Sequence, residues 1–455
     1  MSAAVAGLRS VRPTRSYTNP RDVTGAAVIV GPMAGRLEQN PFLYGTPLVP
    51  GDAISREREV ELVLRLALAG QNTRVSAPRG YGKTTLLAQA RAAADDLWLN
   101  TVRVDLQGIR SAADVAGRLE HGFAAARGPV AGRVLRQAGL RAGGDVVRTP
   151  RDAPPARGEI AQRLLFELLD LPLTFYRCTR VRTLVIFDEF QDVCEADGCV
   201  EPLIRSCIQH HGRVASYVFG CSSSKMLSHR ARPLALGPLS ARRSASFIGK
   251  RFARSGRDPA PVLGTLLQTA GGHPQRMMLL AHHLWEHTPR GHASSQSAWQ
   301  LALAAAYAEL HEAFAAAWNG PDERSVLAAV AWGRKPLTAP ETLQHFELTE
   351  TIAEAALHKL IGSGQLVWLS SGELAFVDPL YRGWIAAGGR APSAPRALQT
   401  VREEASLTTR GESASARWSV GRPDEPRLAV AVEDTSHAAL DELQTARELR
   451  RATER

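Results

Sequence analysis

The sequence predicts an α/β fold in which a parallel β-sheet is flanked by helices. Short apolar segments at 73–77, 101–106, 182–190 and 214–224 have the length and composition of strands, and helical patterns separate them. Strands that alternate with helices are typical of parallel sheets. Residues 183–187 are apolar on both faces, as expected of a central strand. We therefore predict one such domain over residues 39–230.

Helical spacing of apolar residues supports the layers around this sheet. It predicts helices at 56–70 and 83–96, and a single amphipathic helix at 157–176. Residues 120–158 are rich in Arg, Gly, Ala and Pro, and we interpret them as a partly ordered insertion.

The rest of the chain divides by composition and pattern. Residues 231–318 are mostly helical and are predicted to form a lid. Residues 319–388 read as helices followed by two apolar strands around a Ser-Ser-Gly turn, the outline of a winged helix-turn-helix domain. Residues 1–38 and 389–455 lack a sustained period and are predicted to be disordered.

Composition excludes several classes of protein. The chain has 455 residues, enough for two or three domains, and no apolar run approaches the roughly 18 residues of a membrane helix. We expect a cytoplasmic protein with no membrane partner. The five cysteines match no standard zinc spacing, so we expect reduced thiols. A metal site from Cys194, Cys199, His210 and His211 is the alternative.

The net charge of +10 is unevenly distributed. Residues 201–260 contain eleven Lys or Arg and two acids, whereas residues 321–385 contain five cations and eight acids. The basic segment could be a solvated face, a phosphate-binding surface or a DNA-binding surface. The acidic balance of the predicted winged helix indicates packing on the rest of the protein, or binding of another protein, rather than DNA contact.

The segment "APRGYGKTT" lies between a predicted strand and a predicted helix, where a phosphate-binding P-loop belongs. Gly80 and Gly82 let backbone N–H groups turn towards phosphate oxygens. Lys83 can reach the β- and γ-phosphates, and Thr84 can offer its hydroxyl to Mg²⁺. The predicted nucleotide-binding residues here are Ala77, Pro78, Arg79, Gly80, Tyr81, Gly82, Lys83, Thr84 and Thr85.

Two acids end the predicted central strand, at the sheet edge where ligands bind in open α/β folds. We predict that Asp188 holds Mg²⁺ through water and that Glu189 orients the attacking water. The predicted catalytic residues are therefore Lys83, Asp188 and Glu189, and the predicted metal ligands are Thr84 and Asp188.

Together, "APRGYGKTTLL", "VIFDEFQDV", "YVFGCSSS" and "GGHPQR" resemble the AAA+/STAND branch of P-loop ATPases, especially the archaeal-type and origin-recognition-like ATPases of prokaryotes. The resemblance implies that ATP and Mg²⁺ bind, with Arg56 and Glu57 near adenine. It implies a sensor-1 role for Ser222, or alternatively Ser223, and a lid motif containing Gly272 and Pro274. It assigns Arg276 to sensor 2 and suggests an arginine finger at Arg230 or Arg232.

Four functions are compatible with these motifs. The first is an ATP-driven conformational or assembly switch that hydrolyses ATP slowly, with self-association or a protein partner. The second is a DNA-associated ATPase of origin-recognition or mobile-element type that uses residues 201–260. The "DEFQD" segment also resembles a superfamily-1 helicase motif, which would require a second RecA-like domain. A non-hydrolysing scaffold is disfavoured by the paired acids.

Overall fold

The computed structural model describes residues 39–126, 156–222 and 231–389, with short gaps at 46–47, 49, 55, 98, 197–199, 318–319, 334 and 370–371. The predicted arm at 1–38, most of the predicted insertion and the tail from residue 390 lie outside the described residues. Among the helices in these ranges, none is both long and apolar enough to cross a bilayer.

A five-stranded parallel sheet forms the centre of the amino-terminal half and confirms the predicted α/β class. Its strand order is β2-β3-β4-β1-β5. The strands are β1 (Asn72–Ser76), β2 (Asn100–Asp105), β3 (Thr183–Asp188), β4 (Ala215–Cys221) and β5 (Ala231–Ala235). Strand β5 extends the sheet past residue 230, where we predicted the lid to begin. It pairs only with β1, so Pro233 is tolerated on this edge strand.

Helices cover both faces of this sheet. They are α1 (Glu57–Leu68), α2 (Lys83–Asp95), α3 (Ala112–Ala124), α4 (Ala156–Leu169), α5 (Leu171–Thr179), α6 (Asp192–Glu195) and α7 (Val200–Ile208). The central strand β3 places Val185 and Phe187 in the core beneath α3, α4, α5 and α7. It places Leu184 and Ile186 in the core beneath α1 and α2. This two-sided burial explains its uninterrupted apolar sequence.

The single helix predicted at 157–176 is wrong, because it is broken into α4 and α5. Asp170 lies between them, and Pro172 is in the first turn of α5. Proline has no N–H to continue the hydrogen bonding of a preceding helix, but it is tolerated in a first turn.

The carboxyl-terminal half is helical with one hairpin. Its elements are α8 (Ala241–Arg254), α9 (Ala260–Ala270), α10 (Pro274–Glu286), α11 (Gln296–Ala316), α12 (Pro321–Trp332), α13 (Pro340–His345), α14 (Glu350–Gly362), β6 (Leu366–Trp368), β7 (Leu374–Phe376) and α15 (Pro379–Ala386). One hydrophobic core runs from Phe42 to Ile385 across these helices, so the boundary predicted near residue 318 stays a prediction. Strands β6 and β7 are antiparallel.

The hairpin region also contacts the nucleotide-binding half. Val367 and Val377 belong to the same buried cluster as Tyr81 and the apolar side chains of α1 and α2. In the described part of the chain, the strands after residue 235 form only this two-stranded sheet. The second RecA-like domain that a superfamily-1 helicase requires is therefore not formed there.

Two glycines of α3 give opposite predictions for stability. A Cβ atom on Gly122 would lie 2.7 Å from the carbonyl oxygen of Arg103 on β2, whereas one on Gly117 would meet nothing within 4 Å. We expect Gly122→Ala to lower the free energy of unfolding by about 1–3 kcal/mol through overpacking. Gly117→Ala, the matched control, should raise it by roughly 0.5–1 kcal/mol because alanine favours the helix. Urea unfolding followed by circular dichroism measures both changes, and equal effects of the two variants would contradict this packing.

Candidate functional site: the P-loop cavity

The loop between β1 and α2 has the backbone that its glycines predict. Gly80 has φ of 81°, and Gly82, which precedes α2, has φ of 81° and ψ of 25°. Both values are left-handed, a region that side chains with a Cβ atom rarely adopt. No side chain caps α2. Since the first N–H groups of a helix have no acceptor within it, this helix end can bind an anion.

This loop opens into a cavity of about 1580 Å³. The predicted nucleotide-binding residues that line it are Pro78, Arg79, Gly80, Tyr81, Gly82, Lys83, Thr84, Thr85 and Ser222. Glu189 lines it as well. Three other predicted site residues, Ala77, Asp188 and Arg276, do not. Ala77 is buried beneath the loop, and its N–H donates to the carbonyl of Cys221 on β4.

Lys83 and Glu189 form an ion pair inside the cavity. The Lys83 Nζ atom lies 2.8 Å from Glu189 Oε1, and Lys83 is buried. Burial alone would raise the pKa of Glu189, but hydrogen bonds from Lys83 and Gln191 outweigh it and hold that pKa below its usual value. Glu189 has a left-handed backbone with φ of 52°. Such strain in a non-glycine residue costs about 1–3 kcal/mol and is often found at functional sites.

Asp188 is buried next to the cavity rather than on its surface. Its Oδ2 atom accepts a hydrogen bond of 3.0 Å from Arg103 Nη2 on β2, and its Oδ1 atom accepts one from the N–H of Glu189. A Cβ atom at position 220 on β4 would lie 3.2 Å from Oδ1, so Gly220 makes room for this carboxylate. Arg103 could not be identified from the sequence, because no local pattern links β2 to β3.

Gln191 connects the ends of β3 and β4 and was also missed. Its Nε2 atom donates to Glu189 Oε2 at 2.5 Å, and its Oε1 atom accepts from the N–H of Ser222 at 3.1 Å. The sequence feature that could have identified Gln191 is its side-chain amide, two residues after Glu189 in "DEFQD". Gln191 thus links the backbone N–H of Ser222 to the carboxylate of Glu189. The alternative Ser223 and the arginine-finger candidate Arg230 lie outside the described residues.

Arg232, the other arginine-finger candidate, lies on β5. Its side chain donates to Gln71, which directly precedes β1. This contact lies at the amino ends of β1 and β5, whereas the P-loop follows the carboxyl end of β1. The predicted lid motif, in contrast, contacts the P-loop directly. A Cβ atom on Gly80 would lie 2.6 Å from His273 Cε1, and the rings of His273 and Tyr81 have centroids 4.7 Å apart.

His273 is almost completely buried, and this burial lowers its pKa to about 4. The nearby Asp378 opposes the shift and Arg276 adds to it. The neutral ring accepts a hydrogen bond at Nδ1 from the N–H of Arg276 and so caps α10.

Arg276 is not among the residues that line the cavity, and its predicted sensor-2 role stays a prediction. Its guanidinium contacts Asp378 Oδ2 at 2.7 Å, and the other oxygen of Asp378 caps α15. The acid lies 102 residues downstream, and its charge explains the orientation of the arginine.

Tyr81 and Arg56 fix the P-loop to the rest of the protein. The buried Tyr81 hydroxyl donates to the carbonyl of Val377 at 3.1 Å. Arg56 Nη2 donates to the carbonyls of Tyr81 and Gly237, at 3.2 and 2.8 Å. Arg56 thus lines the cavity and joins the P-loop to Gly237 through its buried guanidinium. Glu57, which was also predicted to lie near adenine, does not line this cavity.

The carboxyl-terminal helices complete the cavity. Helix α14, in the predicted winged helix-turn-helix domain, contributes Leu357, His358, Ile361 and Gly362, and the following turn contributes Ser363 and Gly364. The predicted winged-helix fold itself stays a prediction. Helix α14 lines the same cavity as the P-loop, and its packing on the nucleotide-binding half stays a prediction.

The alternative metal site is not assembled among the described residues. Cys194 is exposed on α6, and Cys199 is outside the described part of the chain. His211 is buried and is held by the Tyr217 hydroxyl at 2.6 Å and by Asp170 at 3.2 Å. No described group of three or more His, Cys, Asp or Glu side chains could hold a metal ion.

The depressed pKa of His273 predicts a pH-dependent stability. In the unfolded chain this histidine gains a proton near pH 6.5, whereas in the folded protein it does so only near pH 4. The contribution of the neutral His273 to the free energy of unfolding is therefore fully present above pH 6.5. It decreases as the pH falls towards 4, by about 2 kcal/mol at pH 5. His273→Asn retains a capping side chain without this titration, so its unfolding temperature should fall less between pH 7 and pH 5. The exposed His210, replaced by Asn, is the matched control, and an unchanged pH dependence in His273→Asn would contradict the burial argument.

Comparison with solved structures confirms the fold. A Walker-type ATPase of Pyrococcus abyssi is similar with a TM-score of 0.56 and 14% identity, over 76% of this chain and 99% of that one. The ORC2 protein of Aeropyrum pernix is similar at 0.47 and 16%, over 82% and 99%. A STAND ATPase with a tetratricopeptide repeat sensor from Pyrococcus horikoshii reaches 0.32 and 13%, over 83% and 48%. No protein-family model matches the sequence, and no curated protein matches it significantly. The first similarity carries the assignment: this chain has the fold of a Walker-type P-loop ATPase.

Proposed function

We propose that this protein binds ATP with Mg²⁺, hydrolyses it slowly, and uses the state of the nucleotide to switch the position of its carboxyl-terminal helices. One observation carries the proposal. The P-loop and helix α14 line the same cavity, so a nucleotide there would contact both halves of the chain. The P-loop ATPase fold supports the first part of the proposal.

The cavity fits a triphosphate. It combines an uncapped helix end, two left-handed glycines and the buried ammonium group of Lys83. That ammonium is already paired with a carboxylate, and phosphate oxygens can replace Glu189 as its partner. The apolar side chains of Ala53, Ile54, Leu239 and Met278 line the same cavity and can accept a flat base such as adenine.

The nearby oxygen donors suit Mg²⁺, which prefers hydroxyl, carboxylate and water ligands. Thr84 lines the cavity, and Asp188 lies behind it with a carboxylate that Arg103 pairs. We propose Thr84 as the direct ligand and Asp188 as a ligand through water. When bound, the metal ion neutralises phosphate charge.

Glu189 is the proposed catalytic carboxylate. Its low pKa keeps it ionised at neutral pH, so it can orient a water molecule and accept its proton. While Lys83 holds it, this carboxylate is unavailable to water. Phosphate binding to Lys83 would free it, and Gln191 would then hold it in position through the second oxygen. Catalysis would thus depend on exchanging one buried ion pair for another, which is compatible with slow turnover.

The proposed switch uses a contact between the halves of the chain. Tyr81 of the P-loop donates to the carbonyl of Val377. Within the carboxyl-terminal half, Arg276 of the lid motif pairs with Asp378, the residue that follows Val377. A change in loop conformation would strain the Tyr81 bond and act on this neighbouring ion pair, so nucleotide state and helix position would be coupled. We propose that the movement of the carboxyl-terminal helices controls self-association or the binding of a protein partner.

A DNA-associated ATPase is the second candidate function. The observation that favours it is the exposed cationic surface within residues 201–260. Helix α14, in the predicted winged helix-turn-helix domain, carries two acids and one lysine within "ETIAEAALHKLIG" and lines the P-loop cavity. DNA contact would therefore use the basic segment instead of α14.

Removal of the Lys83 ammonium should abolish detectable ATP binding. Lys83→Ala loses a charge-assisted phosphate contact and leaves Glu189 without its buried partner, so we expect affinity to fall by about 100-fold or more. Equilibrium dialysis with ATP and Mg²⁺ measures the loss. Lys335→Ala, which removes an exposed lysine paired with Glu341, is the matched control and should bind as the unmodified chain does.

Replacing the Glu189 carboxylate by an amide should separate binding from turnover. Glu189→Gln retains the shape of the side chain but cannot accept a proton, so we expect hydrolysis to fall by about 10²–10⁴-fold while ATP stays bound. Phosphate release and retained nucleotide are measured on the same sample, and gel filtration then reports whether trapped ATP changes the assembly state. Hydrolysis at the unmodified rate would remove Glu189 from the mechanism.

A further inference from the structure

A second cavity, of about 500 Å³, runs along helix α8. It is lined by Ile54, Glu57, Arg242, Arg243, Ser246, Phe247 and Lys250. Ile54 also lines the P-loop cavity, so the two cavities are neighbours. We call the second one the α8 groove.

The cations of the α8 groove have no partners among the described residues. The side chains of Arg242, Arg243 and Lys250 are exposed, and none makes a described ion pair or hydrogen bond. Other arginines of the basic segment are structural. Arg251 donates to the carbonyls of Pro41 and Gly51 and lies over the Phe247 ring at 4.3 Å.

Arg257 and Arg205 are structural in the same sense. Arg257 donates to the carbonyl of Thr288 and stacks on Trp285 at 3.9 Å. Arg205 pairs with Glu201 one turn away on α7. The structure thus separates the basic segment predicted from the sequence into arginines that hold the fold and cations that remain available for a ligand.

Helix stability does not explain this charge pattern. Helix α8 contains five cations and no acid. Arg242 and Arg243 lie in its first turn, where cations oppose the helix dipole, and like charges along one face repel each other. A surface that served only solubility would mix both signs of charge.

Two of the groove cations, Arg243 and Lys250, lie along one line of the helix with Arg254, which is exposed but does not line the groove. Arg243, Lys250 and Arg254 are seven and four residues apart, which puts them within about 20° of a common line that spans roughly 16 Å. All three side chains are exposed. A ligand that contacts all of them must carry several negative charges in a row, which is how a phosphodiester strand presents its phosphates.

We infer that the α8 groove binds the sugar-phosphate backbone of a nucleic acid, independently of base sequence. Arginine and lysine contacts to phosphate position a protein on nucleic acid without reading its sequence. Glu57 is the one acid that lines the groove, and it opposes this binding. The inference gives a site to the second candidate function, DNA contact through residues 201–260, and rests on it, but it does not depend on the ATP-driven switch.

The test measures binding of the full chain to a short mixed-sequence DNA duplex by fluorescence anisotropy at several salt concentrations. Arg243→Gln combined with Lys250→Gln should weaken binding about 10-fold or more and should reduce the slope of log K against log salt by about 2, one for each phosphate contact. Glu57→Gln should strengthen binding, because it removes repulsion from the groove. Thermal unfolding of each variant checks that the fold is retained.

Arg213→Gln is the matched control, since Arg213 is exposed before β4 and has no partner among the described residues. An equal loss in this variant would overturn the inference by showing that net charge alone attracts DNA. An unchanged salt slope in the double variant, or displacement of DNA by inorganic triphosphate alone, would overturn it as well. DNA binding by Lys83→Ala is measured in parallel. Retained binding there supports a groove independent of the P-loop, whatever the outcome for ATP.

Discussion

The ion pair between Lys83 and Glu189 is the interaction on which the site depends. Lys83 is buried and Glu189 is half-buried, and a charge removed from water is costly unless it has a partner. The pair at 2.8 Å satisfies both charges while no phosphate is bound. A triphosphate is a natural replacement for the carboxylate, because it offers the ammonium more negative charge. In the proposed mechanism, phosphate binding and release of the Glu189 carboxylate are thus two consequences of one exchange.

The surrounding contacts make this exchange specific. Glu189 is held by Lys83 through one oxygen and by Gln191 through the other, and Gln191 is fixed in turn by the N–H of Ser222. When Lys83 leaves, one restraint on the carboxylate is lost and the other remains. The left-handed backbone of Glu189 costs free energy that these contacts must offset. The backbone strain of Glu189 is compatible with the proposed exchange, in which its carboxylate leaves Lys83 and binds water.

A second constraint joins the loop to the carboxyl-terminal half. The P-loop pattern leaves position 81 free in sequence, yet here the Tyr81 ring is buried against His273 and its hydroxyl reaches Val377. Its carbonyl accepts a hydrogen bond from Arg56. Because one residue supplies backbone to the phosphate loop and a side chain to the distant interface, the loop cannot change shape without affecting that interface.

The sequence predicts the local features well and the long-range contacts poorly. The apolar run of β3 and the glycines at 80 and 82 identify the sheet and the loop, since each depends on neighbours close in the chain. The position of Arg276 could not be predicted, because the carboxylate of Asp378 that holds it is 102 residues away. The burial of Asp188 behind Arg103 depends likewise on the pairing of β2 with β3. The break at Pro172 had a local signal, but the helical period on either side concealed it.

The short segment before α1 links the two cavities. Ile54 lines both of them, Arg56 binds the carbonyl of Tyr81 in the P-loop, and Glu57 lines the α8 groove. A ligand that moved Glu57 would therefore act on residues one and three positions away that contact the nucleotide cavity. Coupling between two ligands is reciprocal in free energy, so nucleotide in the P-loop would change affinity in the groove by the same factor. Residues 54, 56 and 57 thus give a direct covalent connection between the two cavities.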